Sequence, residues 1–375
     1  MPLLTRPTLT RLAAAAVLAA AGAACAMVES LNGVVRGSYQ QQDDETAPDR
    51  GPHAVGYRVV DLPGCVDSPH PEAAKGTDTL TVAVWYPTTA DEAAIIYDGD
   101  KDDGRVTGSV ARDAPLSKGA WPMLVFSHGY GGGGIASTFF TERLASMGWI
   151  VVCPDHHDAD QAIRIRTGFD TDLNMMKFGW NVLNLGADFQ IDDYAYRLDE
   201  FARAMDWALQ DQALQEGIDP ARIAVGGHSL GGFTSLAAAG AVGGRRDKRA
   251  KALLLFAPAL WMYDESDWAR VEVPVMVMFG QTELWLKRGA DDALGHSQGP
   301  HYYVEIRRGG HTSFNDRFRR GDPRGLWSGT DTQMDVIADY AIAFLERHVN
   351  ETGESMTTLA RLDDRLSRFD AVAPR

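Results

Sequence analysis

The chain has 375 residues, 45% of them hydrophobic and 23% charged, with a formal net charge of −15. These are globular proportions, enough for a sizeable core, and they exclude wholesale disorder. The acidic balance excludes nucleic acid and anionic lipid as favoured partners, because a negative surface repels both.

The first 26 residues read as an export signal. Arg6 and Arg11 make a positive start, residues 12–24 are uncharged and rich in Ala, Leu and Val, and small residues lead to Cys25. The apolar run is too short for a good membrane-spanning helix. Two cleavage readings stand. Ala24-Cys25-Ala26 fits ordinary signal peptidase, whereas Gly22-Ala23-Ala24-Cys25 resembles a lipobox without the usual Leu at its first position. In the second reading a lipidated Cys25 would attach the protein to a bacterial membrane. The expected location is secreted or periplasmic, or lipid-anchored. Cys65 lies in a Pro/Gly loop and Cys153 ends an apolar run, so both are expected unpaired, with a disulfide as the alternative in an exported chain.

Residues 27–54 are polar and read as a linker. Strands are expected at 56–62 and at 79–86, where apolar and polar residues alternate. Residues 87–120 read as a charged connection. The uniformly apolar run 123–126 fits a parallel strand covered on both faces. Phe140, Leu144 and Met147 share a helical face that Gly148 ends, and 149–153 is a strand. Residues 157–190, with Met175, Met176, Phe178, Trp180, Leu183 and Phe189, interrupt the rhythm and read as a lid-like insertion above the strand ends, where such folds place their pocket. Tyr194, Leu198, Phe201, Met205 and Leu209 repeat at helical spacing. Strands follow at 222–225, 252–256, 273–279 and 302–306, the last taken as the final strand, with a helix at 230–241. A closing helix carries Met334, Ile337, Ala341 and Leu345. The tail 350–375 is charged and reads as at most one loose helix. The whole is an α/β fold, a mostly parallel sheet flanked by helices, with one catalytic domain over 55–349.

The strongest chemical signal is Gly227-His228-Ser229-Leu230-Gly231-Gly232, between the strand 222–225 and a helix. That context is what a nucleophile elbow requires, with Ser229 projecting from a tight turn. A serine hydroxyl needs a base. In the order Ser, acid, His, the candidates downstream are His296, His301, His311 and His348. His311, in Gly309-Gly310-His311-Thr312 directly after the last strand, is expected to be the base. Glu283 follows the strand 273–279 and Gly280, the place for the acid; Asp264, Asp267, Asp291 and Asp292 compete. Two oxyanion donors are expected, the Leu230 amide and the Tyr130 amide of the loop Ser127-His128-Gly129-Tyr130-Gly131-Gly132-Gly133-Gly134. His128 reads as structural. His228, Trp261 and Trp285 are expected to line the substrate pocket. Asp155-His156-His157-Asp158 has metal-ligand types but no second cluster at ligand spacing, so no metal is expected and no cofactor is implied.

Val84-Trp85-Tyr86-Pro87, the stretch 125–129 ending in His128-Gly129, the stretch 144–148, Pro154-Asp155-His156, the elbow and Gly310-His311 together resemble the dienelactone hydrolase and type II platelet-activating-factor acetylhydrolase branch of the α/β hydrolases. The resemblance spans roughly 55–348 and implies an α/β-hydrolase fold and ester hydrolysis. Dienelactone hydrolases use Cys where Ser229 stands. The acetylhydrolases carry the acid after the earlier strand, where this chain reads Phe256-Ala-Pro-Ala-Leu-Trp261 without a carboxylate. The pattern ending at Glu283 is similar to secreted cutinases and polyester hydrolases, which have Asp there. The expectation is a secreted serine carboxylic-ester hydrolase of short- to medium-chain esters, working through an acyl-enzyme. The alternatives are a polyester- or cutin-type depolymerase and an acetylhydrolase-like phospholipid esterase.

Overall fold

The protein is described from a computed structural model, which covers residues 50–63, 79–97, 107–158, 163–165, 168–169, 194–316, 329–352 and 357–374. The export signal, Cys25, Cys65 and most of the expected insertion, including Met175 to Phe189, lie outside the described residues.

In chain order the strands are β1 (Ala54–Pro63), β2 (Thr79–Thr88), β3 (Ala93–Ile96), β4 (Thr107–Arg112), β5 (Trp121–Ser127), β6 (Ile150–Pro154), β7 (Ile163–Arg164), β8 (Gly168–Phe169), β9 (Ile218–His228), β10 (Ala250–Phe256), β11 (Val275–Gly280), β12 (His301–Ile306) and β13 (Leu366–Val372). The main helices are α1 (Thr138–Ser146), α2 (Ala195–Ala208), α3 (Leu230–Ala239), α4 (Glu265–Trp268), α5 (Ala290–His296) and α6 (Asp331–His348). An eleven-stranded open sheet runs β13-β12-β11-β10-β9-β5-β6-β2-β1-β4-β3, and β7 pairs with β8 apart from it. From β12 to β6 every neighbouring pair is parallel. Most residues of those strands are apolar and buried beneath helices, α1 packing on α6 and α2 on α3, whereas Asp219 and Arg222 in β9 and Glu305 in β12 are half-buried.

The chain turns from β5 to β6 on one side and later to β9, β10, β11 and β12 on the other. The order therefore reverses between β5 and β9, and their carboxyl ends bound the crevice where α/β folds bind ligands. The loop after β5 and the elbow after β9 face each other there.

Three expectations are corrected. The tail is not a loose helix: β13 adds antiparallel to β12, with Leu366 buried and Arg368 stacked 4.3 Å over Tyr303. Its charges are those of an edge strand that keeps its solvent side polar. The connection 87–120 contains β3 and β4, which pair with each other and extend the sheet. The linker ends earlier than residue 54. Arg50 pairs with Glu92 and Glu142, at 2.7 and 2.5 Å, and His53 packs edge-on against Trp121. Cys153 is a free, buried thiol, and burial pushes its pKa far up.

At the end of α6, His348 Nε2 lies within hydrogen-bonding distance, 3.0 Å, of the Tyr302 hydroxyl. Burial, helped by Arg347, lowers its pKa from 6.5 to about 4. The folded state thus takes up this proton later than the unfolded chain. This contribution is complete above pH 6.5 and is lost as pH falls toward 4. His156, held neutral by burial, adds in the same direction. Thermal melts should show Tm falling over this window, and falling less in His348→Gln. An identical fall in both proteins would place the loss elsewhere.

Candidate active site

The elbow is built by close approach of backbones. Ser229 has φ 54° and ψ −115°, a left-handed conformation that an L-residue holds only when its surroundings enforce it. Its amide donates to the Phe256 carbonyl at 2.9 Å, and its own carbonyl accepts from Gly232 at 2.9 Å. A Cβ on Gly231 would stand 2.0 Å from the Ser127 carbonyl oxygen, so only glycine lets the elbow lie against the end of β5. The Leu230 amide opens α3, where the first N–H groups have no partner within the helix.

His311 begins the turn of 3-10 helix His311–Phe314. Its Nε2 lies 3.0 Å from Ser229 Oγ and its Nδ1 2.7 Å from Glu283 Oε1. A carboxylate on Nδ1 fixes the proton there and leaves Nε2 to accept the serine proton. The other carboxylate oxygen of Glu283 accepts from the Gly280 amide at 2.6 Å. Glu283 is buried, while Ser229 and His311 are partly open. An imidazole between an accessible hydroxyl and a buried carboxylate can take up the hydroxyl proton and return it.

The acid and base loops are tied to each other. Thr282 donates to the Gly309 carbonyl through its amide (2.9 Å) and its hydroxyl (2.8 Å), and the Gln281 side chain accepts from the Arg308 amide. The base loop is also held from α6, since Ser313 Oγ donates to Gln333 at 3.0 Å, and from the start of α1, where Ser137 donates to the Phe314 carbonyl at 2.8 Å.

The competing carboxylates are elsewhere. Asp264 is exposed and Asp267 half-buried, and the two cap α4 reciprocally. Asp291 pairs with Arg368, and Asp292 lies in the first turn of α5. His296 and His301 are likewise on other elements, and His348 is with Tyr302. Trp261 and Trp285 come together, ring centroids 6.0 Å apart, with Trp261 exposed and Leu284 strongly so. His228 lies beside His311. It is buried with its ring 4.8 Å from the ring of His311 and its Nε2 donating to the His311 carbonyl at 3.1 Å.

Behind the site lies a buried polar network that the sequence reading did not assemble. Ser127 Oγ is 2.8 Å from His156 Nε2, and His156 Nδ1 is 2.9 Å from Glu200 Oε2. His157 bridges Glu200 and the Thr79 carbonyl. Asp155 accepts from the amides of Gly134 and Ile165, and Asp158 from Tyr196 and Arg197. The ligand types at 155–158 are thus engaged with protein groups. His128 is structural, its Nδ1 donating to the Gly129 carbonyl at 2.7 Å and its Nε2 accepting from the His156 amide at 3.0 Å. Among the described residues one group, Glu265, Asp292 and His296, has donor atoms close enough to hold a metal ion. It is a solvent-facing cluster where α4 meets α5.

The sheet, the elbow and the Ser229, His311 and Glu283 array define an α/β hydrolase. Comparison with known proteins agrees: the model of the PET hydrolase-like family matches residues 111–362. The chain belongs to that family. It is also 23% identical over 272 residues to a platelet-activating factor acetylhydrolase of Cavia porcellus, an alignment covering 63% of this chain and 60% of that protein.

The geometry makes the acid directly testable. Glu283→Gln should lower kcat by roughly 10⁴-fold, the order seen when a triad histidine loses its orienting carboxylate. Asp264→Asn and Asp267→Asn should change it little. Steady-state kinetics of the three variants decide, and a crippled Asp264→Asn beside an active Glu283→Gln would move the acid to the earlier strand.

Proposed function

We propose that the protein is a serine carboxylic-ester hydrolase working through an acyl-enzyme. The observation that carries this reading is the hydrogen-bonded array of Ser229, His311 and Glu283 at the carboxyl ends of parallel strands. His311 Nε2 takes the Ser229 proton as Oγ attacks the ester carbonyl. The carbonyl oxygen becomes an oxyanion received by the amides of Leu230 and Tyr130, and such donors contribute about 3–4 kcal/mol each. His311 then gives the proton to the departing alcohol. A water, deprotonated in turn by His311, cleaves the acyl-enzyme. Glu283 holds the imidazole in one tautomer and stabilises its cation. The steps draw on side chains and backbone amides alone.

The substrates of this reading are short- to medium-chain, uncharged or zwitterionic esters, since the chain carries a net charge of −15. A polyester-depolymerase reading is favoured by two observations, the family match and the apolar group of Leu284, Trp261 and Trp285 beside Glu283. The acetylhydrolase relative supports a phospholipid ester as the third class.

Ser229→Ala should fold with an unchanged Tm and lose nearly all turnover of p-nitrophenyl butyrate; activity within tenfold of wild type would overturn the mechanism. The wild type should hydrolyse that ester faster than a dicarboxylate lactone. A panel from acetyl to long acyl esters, a short-chain phospholipid and a polyester film ranks the substrate classes.

The reading includes export. The motivating residues are Arg6, Arg11, the apolar run 12–24 and Cys25. Mass spectrometry of protein from the native host should find a mature N-terminus at Cys25 or Met27, and an intact Met1 would refute both. If Cys25 is lipidated, Cys25→Ala releases the protein from membranes.

A further inference from the structure

We infer that Arg197 is a positioning residue for the oxyanion site: through the carbonyls of His128 and Gly129 it fixes the direction in which the Tyr130 N–H points. The inference rests on the serine-hydrolase reading above, in which that N–H receives the developing negative charge.

Arginine is almost never fully buried without a demand for its charge or its fork. Arg197, on α2, is fully buried. Its Nε and Nη2 grip Asp158, its Nη1 donates to the His128 carbonyl at 2.9 Å, and Nη2 reaches the Gly129 carbonyl at 3.5 Å. The planar guanidinium has five donors in fixed directions, so holding Asp158 on one edge aims the other at the loop. Tyr196, the neighbouring residue, also donates to Asp158, so the anchor itself is held. Burial alone would raise the Asp158 carboxyl, but the Arg197 charge and hydrogen bonds more than reverse this and leave it below its ordinary value.

The consequence for the loop follows from peptide geometry. The described residues contain no cis peptide, and in a planar trans peptide the N–H points opposite to the preceding C=O. Three donors converge on the Gly129 carbonyl: Arg197, His128 Nδ1 at 2.7 Å and the Gly132 amide at 3.0 Å. The Tyr130 N–H is therefore held on the other side. Gly129 lies against the elbow, where a Cβ on it would stand 3.1 Å from Ser229 Cβ and 3.0 Å from His228 Nδ1. If this peptide turned over, a carbonyl oxygen would replace the N–H and repel the oxyanion. Preorganised dipoles stabilise a transition state because they need not reorient as charge appears. Arg197, His128 and Gly132 supply that preorganisation. His128 and Gly132 belong to the loop itself, whereas Arg197 anchors it to the core.

The test compares an ester with its thionoester, whose sulfur makes poor use of oxyanion donors, in the wild type, in Arg197→Lys and in Ile337→Ala. Lysine keeps a cation for Asp158 but has no planar fork for the carbonyls. Ile337 is buried in α6 and serves as a destabilised control. Arg197→Lys should lower kcat for the ester by about 10²-fold, the effect of one oxyanion donor, with KM little changed. The ester-to-thionoester ratio of kcat/KM should fall with it. In Ile337→Ala the ratio should stay at the wild-type value although Tm falls. A lowered Tm with an unchanged ratio in Arg197→Lys would overturn the inference and leave the arginine a purely structural residue. If that variant does not fold, Asp158→Asn, which releases the guanidinium from its anchor, must show the same fall in ratio; an unchanged ratio there overturns the inference too. A wild type without ester preference, or an active Ser229→Ala, would instead remove the serine-hydrolase reading on which the inference stands.

Discussion

The site depends on one steric constraint, the contact of the elbow with the end of β5. Residue 229 must leave the sheet at φ 54° so that its side chain projects past the strand ends, and the next turn then lies directly on the Ser127 carbonyl. Contact this close is possible only where a side chain is absent, which is why Gly231 is fixed. The same contact brings the loop after β5 alongside Ser229. The strained turn thereby places the Ser229 hydroxyl, the amide at the start of α3 and the amides of the β5 loop within one small volume. Strain of this kind costs of order 1–3 kcal/mol and persists only where the surroundings over-determine it. Here they include the Ser229 amide bonded to Phe256 and the buried strands on either side.

Among the described residues lie two Ser, His and Glu arrays whose distances barely differ. Ser229, His311 and Glu283 are linked at 3.0 and 2.7 Å, and Ser127, His156 and Glu200 at 2.8 and 2.9 Å. Hydrogen-bond geometry therefore does not distinguish a reacting array from a structural one. Exposure does. Ser127 and His156 are wholly buried, out of reach of any substrate, and burial holds the His156 imidazole well below its ordinary pKa. A base that cannot become a cation cannot carry a proton through a reaction. Ser229 and His311 face the crevice with only the carboxylate buried. The inner array instead satisfies polar groups that a dry interior would penalise, and it holds β5, β6 and α2 in register beneath the outer one.

What the sequence made legible follows the range over which each signal acts. Strand, turn and helix around Ser229 are encoded within about a dozen residues, and the order along the chain then selects His311 and Glu283 by position. In the structure His311 Nε2 lies 3.0 Å from Ser229 Oγ and its Nδ1 2.7 Å from Glu283. The central strands were legible for the same reason, since burial on both faces writes an unbroken apolar run. The edges were not. β3, β4 and β13 are half-exposed, and Arg368 and Asp370 in β13 read as tail until Tyr303 and β12 are set beside them. Arg197 and Glu200 did leave a trace, two charges three apart beside the apolar stripe of Tyr194, Leu198 and Phe201, all of them buried. Their partners lie some forty to seventy residues away, so the trace has meaning only in three dimensions.

The presence of a glutamate beside His311, where an aspartate would be expected, has a local explanation. Its extra methylene would overreach a histidine placed for aspartate, unless either the loop retreats or the side chain folds back. In this protein the loop cannot retreat: Gly280 packs against the backbone of Gly309 and Gly310 so closely that a Cβ there would lie 2.5 Å from them, and Thr282 is bonded to the Gly309 carbonyl. The side chain folds back. Glu283 donates its amide to the Gly280 carbonyl at 3.1 Å and accepts the Gly280 amide on Oε2, so the two residues clasp each other across a tight turn. One carboxylate oxygen is spent on holding the turn and the other on His311. An aspartate in this turn, one methylene shorter, would draw its carboxylate back from His311 while it held the Gly280 amide. The length of Glu283 and the closeness of the two loops are thus one feature, and the glycine at 280 is what permits it.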